Sequence, residues 1–228
     1  MRVDYFLGVG QGERAQQWLE RQFPEITFHT PPNYLRYRSN EQIAKMAHDY
    51  VADALRSSEA YNYIVIAESQ AAPAVVTAIA SGSLPMPKQL ILLQPLGLNL
   101  LALGNTPATR RKELFRRSRL FWSHKNQSLR IAGNRWTFFL LLFQSLRYIH
   151  NLNDAYEVGA SLNITNALAQ IAMHTSVDVY ASTDDSLFPF HELERAKGVS
   201  MHELSGTHFN RATPLAVNQL QYIMSNIS

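Results

Sequence analysis

Residues 63–82 read YIVIAESQAAPAVVTAIASG and join two elements across a very short turn. Tyr63 to Ala67 is an apolar run, mostly β-branched or aromatic, as expected of a buried strand. Gln70 to Ala80 reads as a helix, with Pro73 near its first turn, where a missing N–H costs little. Only Glu68 and Ser69 separate the two. So abrupt a reversal places Ser69 at the tip of a sharp turn at the carboxyl end of a sheet. Its neighbours' N–H groups then lie near a helix N-terminus, which stabilises developing negative charge. That is the geometry a serine nucleophile needs; the other reading of the same residue is a helix N-cap hydroxyl.

Toward the N-terminus, Val3 to Leu7 reads as a short strand, followed by Gly8-Val9-Gly10-Gln11-Gly12 and a helix with Ala15, Trp18, Leu19 and Phe23 on one face. A strand, a glycine loop and a helix also describe a dinucleotide site. Here the spacing is Gly8-x-Gly10-x-Gly12, not G-x-G-x-x-G, and no acidic residue ends a clear second strand about 20 residues later, which argues against that site. Ile26 to His29 is the next strand, ended by Thr30-Pro31-Pro32-Asn33. Ser39 with Gln42 forms a capping box that opens a helix to Arg56, with Ile43, Ala47, Tyr50, Val51 and Ala54 inward and His48 and Asp49 on the surface. On the other side of the central stretch, Leu90 to Leu93 is a fourth strand, ended by Pro95. Two strands flanking one helix make a crossover unit, and hence a parallel sheet.

The character of the chain changes after residue 97. Between Leu98 and His150 ten Lys or Arg residues face one acidic residue, Glu113, so this block carries +9 and the remainder of the 228 residues −6, for a net +3. The pI of about 9.2 therefore describes a region and not the whole surface. Within the block, Trp136 to Leu146 (WTFFLLLFQSL) is the most hydrophobic run, well short of the roughly 20 residues that span a bilayer. It reads as a buried helix, a lid helix over an apolar pocket, or a monotopic contact with anionic lipid. The cluster of Arg110, Arg111, Arg116 and Arg117 suits RNA electrostatically, but no finger, helix-turn-helix or RNA-recognition pattern accompanies it, so neither a specific nucleic-acid partner nor a transmembrane one is expected. Zero cysteines exclude disulfides and thiolate chemistry and agree with a reducing compartment. The start MRVDYFLGVGQGERA lacks a signal-like apolar run, so a cytoplasmic protein is expected. The length suits one domain with a substantial core.

Beyond the block, Ile164 to Met173 reads as a helix and Val177 to Ala181 as a fifth strand, followed by Ser182-Thr183-Asp184-Asp185-Ser186-Leu187-Phe188-Pro189. An Asp pair after a strand is an Asx-turn or helix cap, or a carboxylate with a chemical task. Val199 to Leu204 is the sixth strand, followed by Ser205-Gly206-Thr207-His208-Phe209. His202 alternates within the strand pattern and is read as structural. Thr213 and Pro214 open the closing helix, with Leu215, Leu220, Ile223 and Ile227 inward.

Together these segments resemble the α/β-hydrolase superfamily. Ala67-Glu68-Ser69-Gln70-Ala71 is similar to its nucleophile elbow, Gly-x-Ser-x-Gly, with alanine, the smallest replacement, at both glycines. Residues 182–189 resemble the loop after the family's seventh strand, Gly-Thr-x-Asp-x-x-Val-Pro. That match makes Asp185 the acid that orients the histidine, with Asp184 the competing assignment and Ser182 in place of glycine. Gly206-Thr207-His208-Phe209 resembles the Gly-x-His-Phe loop after the last strand and selects His208. The Gly8 to Gly12 loop follows the strand that matches the family's third, where a His-Gly segment contributes an oxyanion N–H. Gly8-Val9 stands in its place, leaving Gly10 or Gln11 as the donor beside Gln70.

The resemblance covers residues 1–97 and 160–228 as the core, with 98–159 as a basic, helical cap or lid insertion. It implies a three-layer α/β sandwich. With the family's first two strands absent, six strands remain in a mostly parallel sheet of order 2-1-3-4-5-6. The order Ser69, Asp185, His208 is the family's and differs from that of chymotrypsin-like and subtilisin-like proteases. It implies a serine hydrolase acting through an acyl-enzyme on a small carboxylic ester or thioester, whose apolar acyl or aryl group suits the insertion. No cofactor and no metal are expected, since the histidines form no ligand-spaced cluster. Two other readings compete: a non-catalytic binding protein on the same fold, with Ala67 and Ala71 marking relaxed constraints, and a weak anionic-surface or RNA contact through the basic block.

Overall fold

Strands that are apolar along their whole length need cover on both faces, and here they receive it. The computed structural model describes residues 1–8, 13–30, 40–69, 71–117, 163–206 and 214–227. Its strands are β1 (Arg2–Phe6), β2 (Ile26–His29), β3 (Tyr63–Glu68), β4 (Gln89–Leu93), β5 (Ser176–Ser182) and β6 (Ser200–Leu204). They form one sheet in the order β2-β1-β3-β4-β5-β6, and every neighbouring pair is parallel. Every residue of β3 and β4 is buried, as central parallel strands require, whereas the edge strands β2 and β6 are partly open to solvent. The expected order holds, and the sheet is parallel throughout.

The described helices are α1 (Glu13–Gln22), α2 (Asn40–Leu55), α3 (Ala71–Ala80), α4 (Leu100–Leu103), α5 (107–117), α6 (Thr165–Ile171) and α7 (Pro214–Ser225). The period-two alternation of strand side chains divides the core between the two faces of the sheet. On one face Val65, Ala67, Leu90, Leu92, Val177 and Val179 pack with residues of α2, α3 and α6, such as Leu55, Val76 and Leu168. On the other, Ile64, Ile66, Ile91, Leu93 and Tyr180 pack with Leu19 of α1, with Phe23 just after it, and with Leu220 and Ile223 of α7. Each such Leu or Ile, fully buried, stabilises the fold by about 1.5–3 kcal/mol. α3 buries seven of its ten residues, Pro73 among them, because it packs against the sheet, α2 and α6. The start of the basic block joins the same core through Leu98, Leu100, Leu103 and Leu114. Among the described residues no helix is long and apolar enough to cross a membrane. Ser39 of the expected capping box and the run Trp136 to Leu146 lie outside the described residues.

Two buried aspartates pin the outer strands. Asp4 Oδ1 accepts from Arg2 Nη2 at 2.7 Å and lies 2.8 Å from His29 Nε2 of β2, while the His29 ring stacks on Phe6. At the opposite edge, Asp178 accepts from Gln89 Nε2 (2.9 Å) and Ser176 Oγ (3.1 Å), and its other oxygen lies 2.8 Å from His202 Nε2. The His202 ring stacks on Tyr180, its register partner, at 4.4 Å. Asp178 thereby joins β4, β5 and β6, and His202 is structural, as its place in the strand pattern suggests. Asp178→Ala strips three donors of their acceptor and is expected to lower the unfolding free energy by about 3 kcal/mol. Urea unfolding reads this as a lower midpoint at unchanged slope; an unmoved midpoint would mean that the seam carries no stability.

Candidate active site

β3 ends at Glu68 and α3 starts at Ala71, so the chain reverses over two residues. Ser69 makes the turn with φ 50, a left-handed backbone that costs a residue with a Cβ roughly 1–3 kcal/mol and persists only where its surroundings enforce it. Three main-chain hydrogen bonds do so. Ser69 N–H donates to the Leu93 carbonyl at 2.9 Å, and the Ser69 carbonyl accepts from Ala72 N–H (3.3 Å) and Leu96 N–H (3.1 Å). The N-cap reading of Ser69 does not fit this arrangement. An N-cap residue ordinarily has an extended backbone, not φ 50, and the Ala72 N–H that a capping hydroxyl would take is bonded to the Ser69 carbonyl instead.

The alanines of the elbow are explained by the same backbone. Among the described residues, left-handed non-glycine backbone occurs at Tyr61, Ser69 and Gln94, and not at Ala67 or Ala71. Those two positions use none of glycine's extra conformations, and their methyl groups are buried in the core.

Gly8 is suited to its place for a different reason. Phe6 registers on Ala67 in the β1–β3 ladder, so two residues further on Gly8 meets Ser69. A Cβ on Gly8 would lie 3.2 Å from Ser69 Cβ and 3.4 Å from the Glu68 carbonyl oxygen. The loop after β1 therefore starts directly against the elbow. Gln70 and the loop's Gly10 or Gln11, the expected oxyanion donors, lie outside the described residues.

The two aspartates after β5 part ways. Asp185 is 2% exposed, and its Oδ1 accepts from Leu187 N–H at 2.7 Å. Asp184 is exposed, with its N–H donating to Ser182 Oγ at 3.2 Å. His208 lies outside the described residues, but the start of its loop is anchored. Ser182, fully buried, donates its hydroxyl to the Gly206 carbonyl, and Gln219 Nε2 of α7 donates to the Ser205 carbonyl at 2.6 Å. Gly206 has φ 103, a backbone that glycine alone adopts readily. Ser182 thus stitches the aspartate loop to the loop that carries His208. Ser69 and Asp185 follow β3 and β5, on one rim of the sheet with β4 between them.

Three residues near this rim had no distinguishing signal in the sequence. Glu68 is 1% exposed and accepts from Tyr5 Oη at 2.9 Å, directly beneath the elbow. Gln94, buried at φ 46, turns the chain after β4 next to Ser69. Arg117 is buried on α5 beside Glu113, Glu192 and the Leu187 carbonyl. Hydrogen bonds from Arg116, and then Arg117, hold the Glu113 carboxyl down to about 2 against the opposing effect of burial. The stability from that depression is present above the ordinary carboxylate range and is lost as pH falls toward 2. A shallow hollow of about 550 Å³ lies on α4 and α5, lined by residues such as Leu103, Lys112 and Phe115, none of them on the loops of Ser69, Gly8 or Asp185.

No family model and no curated protein matches the sequence. Solved structures match its shape. A bromoperoxidase from Bacillus anthracis aligns at TM-score 0.62 and 10% identity, covering 99% of this chain and 92% of that one. The esterase EaEST from Exiguobacterium antarcticum aligns at TM-score 0.59 and 11% identity, covering 99% and 92%. The NocB thioesterase domain, in covalent complex with a fluorophosphonate nocardicin G analog, aligns at TM-score 0.59 and 12% identity, covering 99% and 95%. The chain has the α/β-hydrolase fold. On an α/β-hydrolase fold, the β3–α3 turn is where a nucleophile elbow stands. If strain is stored there, Ser69→Gly is expected to be about 1 kcal/mol more stable than Ser69→Ala. Equal urea midpoints for the two variants would show that the left-handed turn is not enforced.

Proposed function

We propose that this protein is a serine hydrolase that cleaves a carboxylic ester or thioester through an acyl-enzyme. The observation that carries this reading is Ser69, a non-glycine residue held at φ 50 in a two-residue strand-to-helix turn, with Gly8 against its Cβ. In the proposed reaction His208 takes the Ser69 proton as Oγ attacks the carbonyl carbon, then gives it to the leaving alcohol or thiol. Water, deprotonated by the same imidazole, releases the acid and restores the serine. Asp185 holds the imidazole tautomer, and its burial and its separation from the exposed Asp184 support that assignment. Gln70 N–H and one N–H of Gly10 or Gln11 hold the oxyanion, where each donor contributes about 3 kcal/mol to the transition state. This chemistry is complete without a metal or an organic cofactor.

An esterase and a thioesterase among the structural neighbours support the substrate class. The apolar acyl or aryl preference rests on the insertion at 98–159, proposed as the cap, whose first helices pack on the core. A weak anionic-surface contact would draw on exposed Arg111 and Lys112; Arg116, bonded twice to Glu113, and Arg117, enclosed by carboxylates, take no part in it.

A fluorophosphonate probe is expected to label the wild-type protein and not Ser69→Ala. Labelling that survives the substitution would remove Ser69 as the nucleophile; no labelling of either favours a binding protein on this fold. Once labelling is established, Asp185→Asn is expected to lower kcat on a short-chain aryl ester by roughly 10³- to 10⁴-fold at an unchanged thermal midpoint. Asp184→Asn is expected to cost little. Inactivity of the Asp184 variant at full stability would place the acid one residue earlier.

A further inference from the structure

Arg117 belongs by sequence to a block of surface charge, yet its side chain is only 6% exposed. Its Nε donates to Glu113 Oε1, one turn back on α5, at 2.8 Å. Its Nη1 reaches the loop after β5, donating to Glu192 Oε2 at 2.5 Å and to the Leu187 carbonyl at 3.2 Å. The N–H of that same Leu187 donates to Asp185 Oδ1 at 2.7 Å. A single residue therefore stands between guanidinium and carboxylate, held by Arg117 through its carbonyl and by Asp185 through its amide. Glu192 lies in the 3₁₀ turn Phe190–Glu192, so the guanidinium grips the loop at two points five residues apart. Glu113, the fixed end of the clamp, is itself held by Arg116 at 2.7 and 2.6 Å. A buried guanidinium is costly to leave without its carboxylates, and its planar fork allows few directions of approach. The loop cannot rotate without opening this cluster.

We propose that Arg117 is a positioning residue that locks the aspartate loop onto α5, so that the Asp185 carboxylate is aimed only while the start of the basic block is docked on the core. The proposal rests on the serine-hydrolase reading and assigns Arg117 a role through Asp185, not a contact with substrate. Residues in direct series differ from independent ones in a measurable way: once Asp185 has lost its charge, disturbing its support has nothing left to disturb.

The test is a double-mutant cycle on one short-chain aryl ester with wild type, Arg117→Met, Asp185→Asn and the double variant, each with its thermal midpoint. Arg117→Met is expected to lower kcat roughly 30- to 100-fold while KM moves less than about 3-fold, and the double variant to lose no more than Asp185→Asn alone. The acid limb of kcat/KM is expected to move to lower pH in Arg117→Met, because an imidazolium without an aligned carboxylate gives up its proton more readily. Arg117→Lys, which keeps the charge and loses the fork, is expected to fall between. Losses that multiply in the double variant, or an acid limb that stays in place, would make Arg117 a structural ion pair and overturn the proposal. Should Arg117→Met not fold, Glu192→Gln replaces it in the same cycle, with the same expected and overturning results. Full activity of Asp185→Asn would remove the triad reading and the clamp together; an inactive Asp185→Asn beside a fully active Arg117→Met would remove the clamp alone.

Discussion

The Ser69 N–H to Leu93 carbonyl hydrogen bond, 2.9 Å long, continues the β3–β4 ladder one step beyond the register pair Glu68 and Leu93. That step decides where the serine stands. With its amide tied to β4 and its carbonyl taken by Ala72 and Leu96, Ser69 reverses in the left-handed region, where glycine would ordinarily serve. The strain is local and the restraint is not, since Leu93 and Leu96 belong to the next strand and its loop. A parallel sheet is suited to such restraint because the loops that follow neighbouring strands emerge along one rim. The adjacency of β1 and β3 brings Gly8 to Ser69 by the same logic, and only a residue without a Cβ passes there at ordinary distances.

The charged groups inside the sheet do a different job from those at its rim. Asp4 with Arg2 and His29, and Asp178 with Gln89, Ser176 and His202, sit within the strand registers and tie each edge strand to the interior. Both histidines stack on an aromatic side chain of the same ladder. A buried carboxylate is costly alone and tolerable with several donors, so these seams favour one strand arrangement over its alternatives. Glu68 with Tyr5 continues the theme just below the elbow, where a buried acid and a phenol join β1 to β3.

The basic block is not uniform. Leu98, Leu100, Leu103 and Leu114 commit its first helices to the core, and Arg117 is enclosed by Glu113 and Glu192. Arg111, Lys112 and Arg116 remain exposed on the same helix. Helical periodicity produces this division: residues 113 and 117 are one turn apart and face alike, while Lys112 and Arg116, which precede them, face solvent. A count of charges along the chain treats all of them as surface.

Local pattern was enough to establish the strands and the tight turn at Ser69, whereas their order came from the resemblance and is seen in the sheet itself. Uniform apolar runs of five or six residues mark central parallel strands, and the two residues between Tyr63–Glu68 and Ala71–Ala80 leave no room for anything but a tight turn at Ser69. Resemblance preferred Asp185 to Asp184, and burial now separates them, because adjacent residues of a turn point different ways and only the fold says which way is inward. The ties from Asp178 to His202 and Gln89, from Tyr5 to Glu68, from Ser182 to Gly206 and from Arg117 to Glu192 join residues far apart in the chain. None had a sequence signal, for a physical reason. Periodicity and turn chemistry depend on near neighbours and can be read along the chain, whereas a polar or charged side chain is stable in the interior only beside a partner from another element, and that partner exists only once the sheet order has brought the two elements together.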